Sequence, residues 1–514
     1  MAYALFVFPF FMAALAALVP SNRLRPWLLP ATGTVHAAIM LWAIWGPGLE
    51  TGTEVLFLDP LGKIVALVVG TLFLFCSFYA VGYLRIRIER NNRVFVSCLL
   101  AFLGLTTLVA WSNHLGLTWV AIEGTTLATA PLIYFNRTKR SIEATWKYLL
   151  VGSVGIALAL FGTFFLAYAL MHEGIAPTLD FAELRLLAPG LSKPWLRAAF
   201  VLLLIGYGTK MGLAPMQTWK PDAYGEAPGV VGAMLAGGVT SCAFLAFLRV
   251  YAIVSASGEG AYASRLLLFM GILSMAVAGL FMLGQKDFKR MLAYSSVEHM
   301  GILMVGLGIG KAALFGTLFH VMTNASTKGV LFLAAGNIHR AYGAKTTDQV
   351  RGALRRLPVS GALFLAGFIA ITGSPPFGPF FSEFSILTGA FAAGQFLAAG
   401  FFLVFLLVVF IGMGKTTLFG EYNVASGTPL GAGGLQAADA GIQLAAETIV
   451  ASEVSVWGMG VVQSFDAAAL DIYLAYRNFS ADVKTAPNLI GGGTNDITGI
   501  KDFQLITLGA IMKF

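Results

Sequence analysis

The stretch Lys210–Pro228, KMGLAPMQTWKPDAYGEAP, decides how this 514-residue chain is read. It follows the charge-free run Ala198–Gly206 and leads into a long apolar segment beginning near residue 227. Gly212, Pro215, Pro221, Pro228 and Gly229 interrupt the helix that this pattern would otherwise form. Proline lacks the backbone donor a helix needs, and glycine weakens helical order. Hydrocarbon cannot satisfy the backbone groups so freed, so a break inside a spanning helix belongs beside protein or water. A second break, Gly373-Ser-Pro375-Pro376-Phe-Gly378-Pro379, interrupts a later apolar segment. Two Gly/Pro-interrupted spans point to a transport path and to inverted repeats.

Composition explains why these segments are read as spans. The chain is 58% hydrophobic and 11% charged, whereas a soluble globular chain carries about 25% charged residues. A water-facing surface cannot be built from so few charges, so lipid must cover most of the exterior. The runs Ile64–Ala80, Leu266–Leu283 and Phe396–Ile411 carry no charge at all. A span needs roughly 20 mostly apolar residues. That pattern predicts helices over 2–19, 27–46, 58–84, 94–111, 115–135, 144–170, 195–213, 227–254, 264–284, 291–309, 312–337, 359–390 and 394–419. The expected fold class is therefore an all-α polytopic membrane protein of about thirteen spans, two of them broken.

The net charge of +8 would suggest nucleic acid in a soluble protein. Here the basic residues fall in short clusters between apolar runs: Arg23 and Arg25, then Arg85, Arg87, Arg90 and Arg93, then Arg137, Lys139 and Arg140. The intervening loops, about 48–57 and 112–114, hold no Lys or Arg. The positive-inside rule puts the N-terminus outside and the clusters in the cytoplasm. Cys76, Cys98 and Cys242 are scattered and form no CxxC, haem or iron–sulfur pattern. Gly414-Lys415-Thr416 resembles the end of a P-loop, but the upstream glycine that motif needs is missing. His36, His114, His172, His299, His320 and His339 make neither HxxxH nor HExxH. Neither a metal nor a cofactor is expected in this chain.

An ionisable group within a span costs about 2.5–3.5 kcal/mol on insertion scales, so its retention needs a reason. Glu123 stands near the middle of its span, where the bland alternative is a carboxylic acid kept neutral by burial. Lys210 ends an apolar half-helix beside the first break, where it could equally form a structural ion pair. Burial disfavours an ammonium and a nearby carboxylate favours it, so a lysine whose partner moves is a switchable proton carrier. His320, Asn324 and Lys328 are spaced i, i+4, i+8 on one face of an apolar helix, which suggests a hydrated track or inter-helix hydrogen bonding. Glu383 follows the second break, as proton carrier or as cap. His299, beside Glu298 near a span's start, divides evenly between interface and path. Glu143 and Lys147, i and i+4, fit an ordinary surface pair as well as a secondary site.

Past Gly420 the character changes. Residues 421–452 are Gly/Ala-rich and read as weakly structured. Ile472, Leu474 and Tyr476 then alternate with Asp471, Tyr473, Ala475 and Arg477, and Ile506, Leu508, Ala510, Met512 and Phe514 share one face. A period of two is the pattern of a strand. The expected division is 1–111, N-terminal spans; 112–420, a proton-translocation domain; and 421–514, a short β-like or disordered tail.

Four segments carry a family resemblance: Trp119–Thr126 (WVAIEGTT), Lys210–Pro228, Lys289–Gly301 (KRMLAYSSVEHMG) and His320–Gly336. Over about residues 1–420 the chain resembles the antiporter-like subunits of respiratory complex I, Mrp cation/proton antiporters and membrane-bound hydrogenases. WVAIEGTTLATAPL, SIEATWKYLLVGSVGIALAL and YGTKMGLAPM make it most similar to the F component of hydrogenase-4 and formate-hydrogenlyase-type complexes. The resemblance implies two inverted five-helix repeats, each with a broken helix. It implies a proton path with a Glu123–Lys210 pair, a central His320–Lys328 axis and a terminal Glu383. Asn324 stands where a second histidine is common, which suggests that water takes over there. It also implies a bacterial-type inner membrane, partner subunits of a hydrogenase or dehydrogenase, and redox centres outside this chain. The alternative is an Mrp-type sodium or potassium/proton antiporter subunit. Residues 453–514 depart from the family. They resemble the last strands of an outer-membrane porin and read as a fused or frameshifted segment, with a genuine soluble appendage as the alternative.

Overall fold

The computed structural model describes residues 2–46, 55–412, 415–427, 448–465, 470–486, 495–497 and 503–512. The chain divides into two compact units, Met1–Met413 and Gly414–Phe514. The first is helical: α1 (Ala2–Leu18), α2 (Leu28–Trp45), α3 (Pro60–Ile86), α4 (Arg93–Trp111), α5 (Leu115–Ile133), α6 (Lys139–Met171), α7 (Phe181–Leu187), α8 (Lys193–Met211), α9 (Lys220–Glu226), α10 (Gly229–Ala233), α11 (Thr240–Val254), α12 (Gly260–Met282), α13 (Phe288–Ile309), α14 (Leu314–Tyr342), α15 (Ala353–Arg356), α16 (Pro358–Ile371), α17 (Gly378–Ala392) and α18 (Phe396–Gly412). Among the described residues, seven helical stretches are long and apolar enough to cross a bilayer, and α1, α16 and α18 are shorter apolar helices. Phe75, Phe161, Phe269, Leu280 and Leu397 project outward, as a lipid-facing exterior requires.

Local chemistry sets the helix ends. α6 begins at Lys139, ahead of the apolar pattern at 144, because Thr138 and Ser141 form a capping box that turns a polar segment helical. α14 continues past 337 to Tyr342, where Gly343 adopts φ 67°. The helix expected over 394–419 ends at Gly412, and a strand begins at Lys415. Thr416 and Thr417 are β-branched and suit that strand.

Packing between helices relies on small residues, since lipid gives no hydrophobic drive for helix association. A Cβ on Gly206 of α8 would lie 2.6 Å from the backbone nitrogen of Ala159 in α6. Gly271 and Gly301 stand face to face on α12 and α13, each 2.7 Å from the other's carbonyl oxygen by the same measure. Gly206→Leu is expected to destabilise by at least the 1–3 kcal/mol typical of overpacking, because the obstruction is backbone. Gly82, with nothing within 4 Å of its Cβ direction, supplies the control. SDS-titration midpoints should fall for Gly206→Leu and stay unchanged for Gly82→Leu.

Both breaks are present. α8 stops at Met211, Gly212 turns at φ 73°, and a 3-10 turn (Met216–Trp219) leads into α9. Ala227 and Pro228 then separate α9 from α10. A buried π-helical turn, Met234–Val239, joins α10 to α11, a feature the apolar pattern does not mark. The second break runs from Ile371 through Gly373, φ 66°, to Gly378.

The second unit is an antiparallel sheet of β1 (Lys415–Gly427), β2 (Thr448–Phe465), β3 (Leu470–Ala486), β4 (Asn495–Ile497) and β5 (Phe503–Met512). Its order is β1-β2-β3-β4, with β5 also paired to β3. The period-two alternation falls on β3 and β5. Residues 421–427 and 448–452 are strand, not the weak structure their Gly and Ala content suggests, because each pairs along its length with β2 or β3. Residues 428–447 lie outside the described residues.

Candidate functional site

The spans bring ionisable side chains from α5, α8, α9, α13, α14 and α17 into one buried region. At its first end, Lys210 on α8 is fully buried and its Nζ lies 3.7 Å from Glu123 Oε2 on α5. Lys210 Nζ also donates to Thr126 Oγ1 and faces the ring of Tyr148 at 5.5 Å. Glu123 accepts from Thr126 Oγ1 at 3.1 Å and from Ser153 Oγ at 2.9 Å. Its side chain is 22% exposed, so the carboxylate is the less buried member of the pair. Tyr148 in turn bonds Thr129 Oγ1 at 2.7 Å. Both ends of this ion pair are thus positioned by neighbours that hold no charge.

Beyond the break, Lys220 on α9 is fully buried and donates to Ser296 Oγ on α13 at 3.1 Å. Its Nζ lies 5.8 Å from the centre of the Tyr224 ring. The sequence does not single out this lysine, because it stands among the prolines of the break and resembles a loop residue. The adjacent Trp219 is an available cue: a lysine between tryptophan and proline inside an apolar context is seldom solvated. Lys328 on α14 donates to Leu292 O at 3.2 Å.

At the far end, His299 Nδ1 and His320 Nε2 are 2.9 Å apart, at hydrogen-bond distance. His320 Nδ1 pairs with Ser382 Oγ at 2.8 Å, and Glu383 Oε1 lies 3.8 Å from His299 Nδ1. Glu298 and His299 are both buried. His320, Asn324 and Lys328 are all buried along one side of α14, with His320 and Lys328 about 12 Å apart along the axis. Glu298 Oε2 and Asn324 Oδ1 are buried with no protein hydrogen-bond partner. Glu143 and Lys147 stand apart from this region. They pair at the surface at 2.6 Å, and Lys147 also meets Asp222 at 2.9 Å.

His299, His320 and Glu383 bring three possible metal-ligand atoms within 4.8 Å of one another. Sequence spacing cannot show this group, which three helices assemble. Two imidazole nitrogens on one tetrahedral zinc, each at about 2.0–2.1 Å, would be separated by roughly 3.3 Å. The observed 2.9 Å is hydrogen-bond distance, a separation that suits proton exchange between the two rings.

The breaks hold these charges through their left-handed glycines. A Cβ on Gly212 would fall 2.3 Å from Lys220 Cε, and one on Gly373 would fall 2.2 Å from Glu383 Oε2. In each break the glycine that ends the first half-helix therefore makes room for an ionisable side chain of the second. Gly212→Ala is expected to strain the left-handed turn by about 1–2 kcal/mol and to push Lys220 off Ser296. A several-fold loss of proton flux at near-normal protein yield, measured in vesicles, is the expected outcome.

Residues 112–410 match the model of a family described as NADH:quinone oxidoreductase/Mrp antiporter, transmembrane. A hydrogenase-4 component F homolog from Methylacidiphilum infernorum (isolate V4) is 35% identical over 77% of this chain and 85% of its own length. NADH-quinone oxidoreductase subunit N from Desulforudis audaxviator (strain MP104C) is 32% identical over 69% of each chain. Among solved structures, a chain of respiratory complex I from Thermus thermophilus superposes with TM-score 0.67 and 26% identity, covering 80% of this chain and 88% of that one.

Proposed function

The chain belongs to the NADH:quinone oxidoreductase/Mrp antiporter transmembrane family, and from that premise we propose that it is a proton-translocating membrane-arm subunit of a redox-driven complex of hydrogenase-4 or NADH-dehydrogenase type. The observation that carries this is the file of buried ionisable groups running from Glu123–Lys210 through Lys220 and Lys328 to His299, His320 and Glu383. Ionisable groups are retained in an apolar interior at such cost when they serve a path. The orphaned oxygens of Glu298 and Asn324 suit a track that water completes, because buried polar atoms require a partner.

In this mechanism Glu123 sets the charge state of Lys210. A charge change in a neighbouring subunit weakens the Glu123–Lys210 pair and releases the lysine proton towards Lys220. Lys328 receives it next. The proton then passes along the His299–His320 hydrogen bond and leaves by Glu383. Electron transfer takes place in other subunits, in keeping with the hydrogenase and dehydrogenase names of the relatives. About thirteen spans with two inverted repeats fit the paired breaks, each with its glycine set against a buried charge. The arginine-rich loops support a cytoplasmic-membrane orientation with the N-terminus outside.

Proteoliposomes holding the assembled complex test the reading. Proton uptake that follows electron transfer and ignores sodium is the expected result. Sodium-dependent proton flux without electron transfer would instead favour the antiporter alternative.

A further inference from the structure

A cavity of about 410 Å³ opens where the ends of α3, α9, α13 and α14 meet the loop between α5 and α6. Arg87, Arg90, Lys289, Arg340 and Lys345 line it, with Glu226 as the single lining carboxylate. Glu226 is taken by Lys345 at 2.6 Å. Two more carboxylates stand nearby, Glu89 at 3.7 Å from Arg87 and Asp287 at 3.8 Å from Lys345. Five cations against three carboxylates still leave two positive charges in excess. The other bonds do not neutralise them: Lys289 donates to the carbonyls of Gly225 and Ala227 at 3.0 and 2.6 Å, and Arg90 to Phe135 O at 2.6 Å. The Arg340 guanidinium has no hydrogen-bond or ion-pair partner among the described residues.

Unpaired cations in a partly enclosed cavity favour an anion, and arginine favours the bidentate geometry of phosphate. The cavity lies at the ends of spanning helices, and Ile86 and Ile88, on either side of Arg87, are 53% and 44% exposed. An apolar surface beside a basic pocket suits an anion that carries hydrocarbon. Basic pockets between spanning helices on the positively charged side hold anionic headgroups. We propose that this cavity binds the phosphate headgroup of an anionic phospholipid. Lys289 and Lys345 both donate to the Gly225 carbonyl beside the Ala227–Pro228 interruption of the first break, so a bound headgroup would brace that part of the broken helix. The proposal does not depend on the proton path.

Native mass spectrometry of the detergent-purified full chain tests it, with cardiolipin, phosphatidylglycerol, phosphatidylcholine or inorganic phosphate added. Cardiolipin and phosphatidylglycerol should be retained and phosphatidylcholine lost. The double variant Arg87→Gln, Arg340→Gln should retain anionic lipid about 30-fold less well. Arg87→Lys with Arg340→Lys keeps the charge and should recover most of the retention. Equal retention of phosphatidylcholine and phosphatidylglycerol by the unaltered chain would overturn the proposal without need of any variant. So would full retention by the glutamine variant. Displacement of lipid by millimolar inorganic phosphate would show a free-anion site and overturn the lipid assignment.

Discussion

Lys210→Met lowers proton translocation by about 100-fold or more, while the chain still folds and electron transfer partly survives. Methionine matches much of the lysine stem, and the site is fully buried, so volume is kept and only the ammonium is lost. The partner left behind is not stranded. Glu123 keeps hydrogen bonds from Thr126 and Ser153 and is 22% exposed, so the usual penalty of orphaning a buried charge is small here. The loss is therefore functional rather than structural. Proton uptake by inverted vesicles carrying the complex reads the first effect, and oxidation of the electron donor reads the second. Undiminished uptake would remove Lys210 from the path.

Lys220→Met should lower proton flux by a comparable factor, about 100-fold, with the Glu123–Lys210 pair intact. The pair does not touch Lys220, whose direct partner is Ser296 at 3.1 Å. Ser296 Oγ loses one donated hydrogen bond, so the substitution leaves at most one weak unsatisfied acceptor. The measurement separates two routes. If protons pass from Lys210 to Lys328 through Lys220, flux collapses. If water alone joins them, flux continues at nearly its original rate and Lys220 is a structural cation. Protein yield and SDS-unfolding midpoint, measured beside the flux, show that the variant is folded.

Much of the architecture was legible because it depends on local chemistry. Apolar runs mark spans, since each residue's transfer to lipid is decided one position at a time. The breaks at Gly212–Pro215 and Gly373–Pro376 were legible because proline removes a donor wherever it stands. His320, Asn324 and Lys328 shared a face by helix period alone. The π turn at Met234–Val239 was not legible, because no residue pattern there opposes an ordinary helix. Glu298 and His299 could not be placed from a span boundary, since burial near a helix start depends on which neighbours cover it.

By itself the sequence determined that this chain lives in a membrane, where its helices break and which charges are costly. Those properties follow from single residues and their near neighbours. Only the tertiary structure decided that Lys210 meets Glu123, that Lys220 is interior, that His299 bonds His320, and that arginines and lysines from three separate segments line one cavity. Such pairs lie tens or hundreds of residues apart, and close contact at glycines such as Gly206 and Gly271 fixes which helices meet. A charge's neighbour in space is set by packing, and packing is a property of the assembled helices rather than of any one of them.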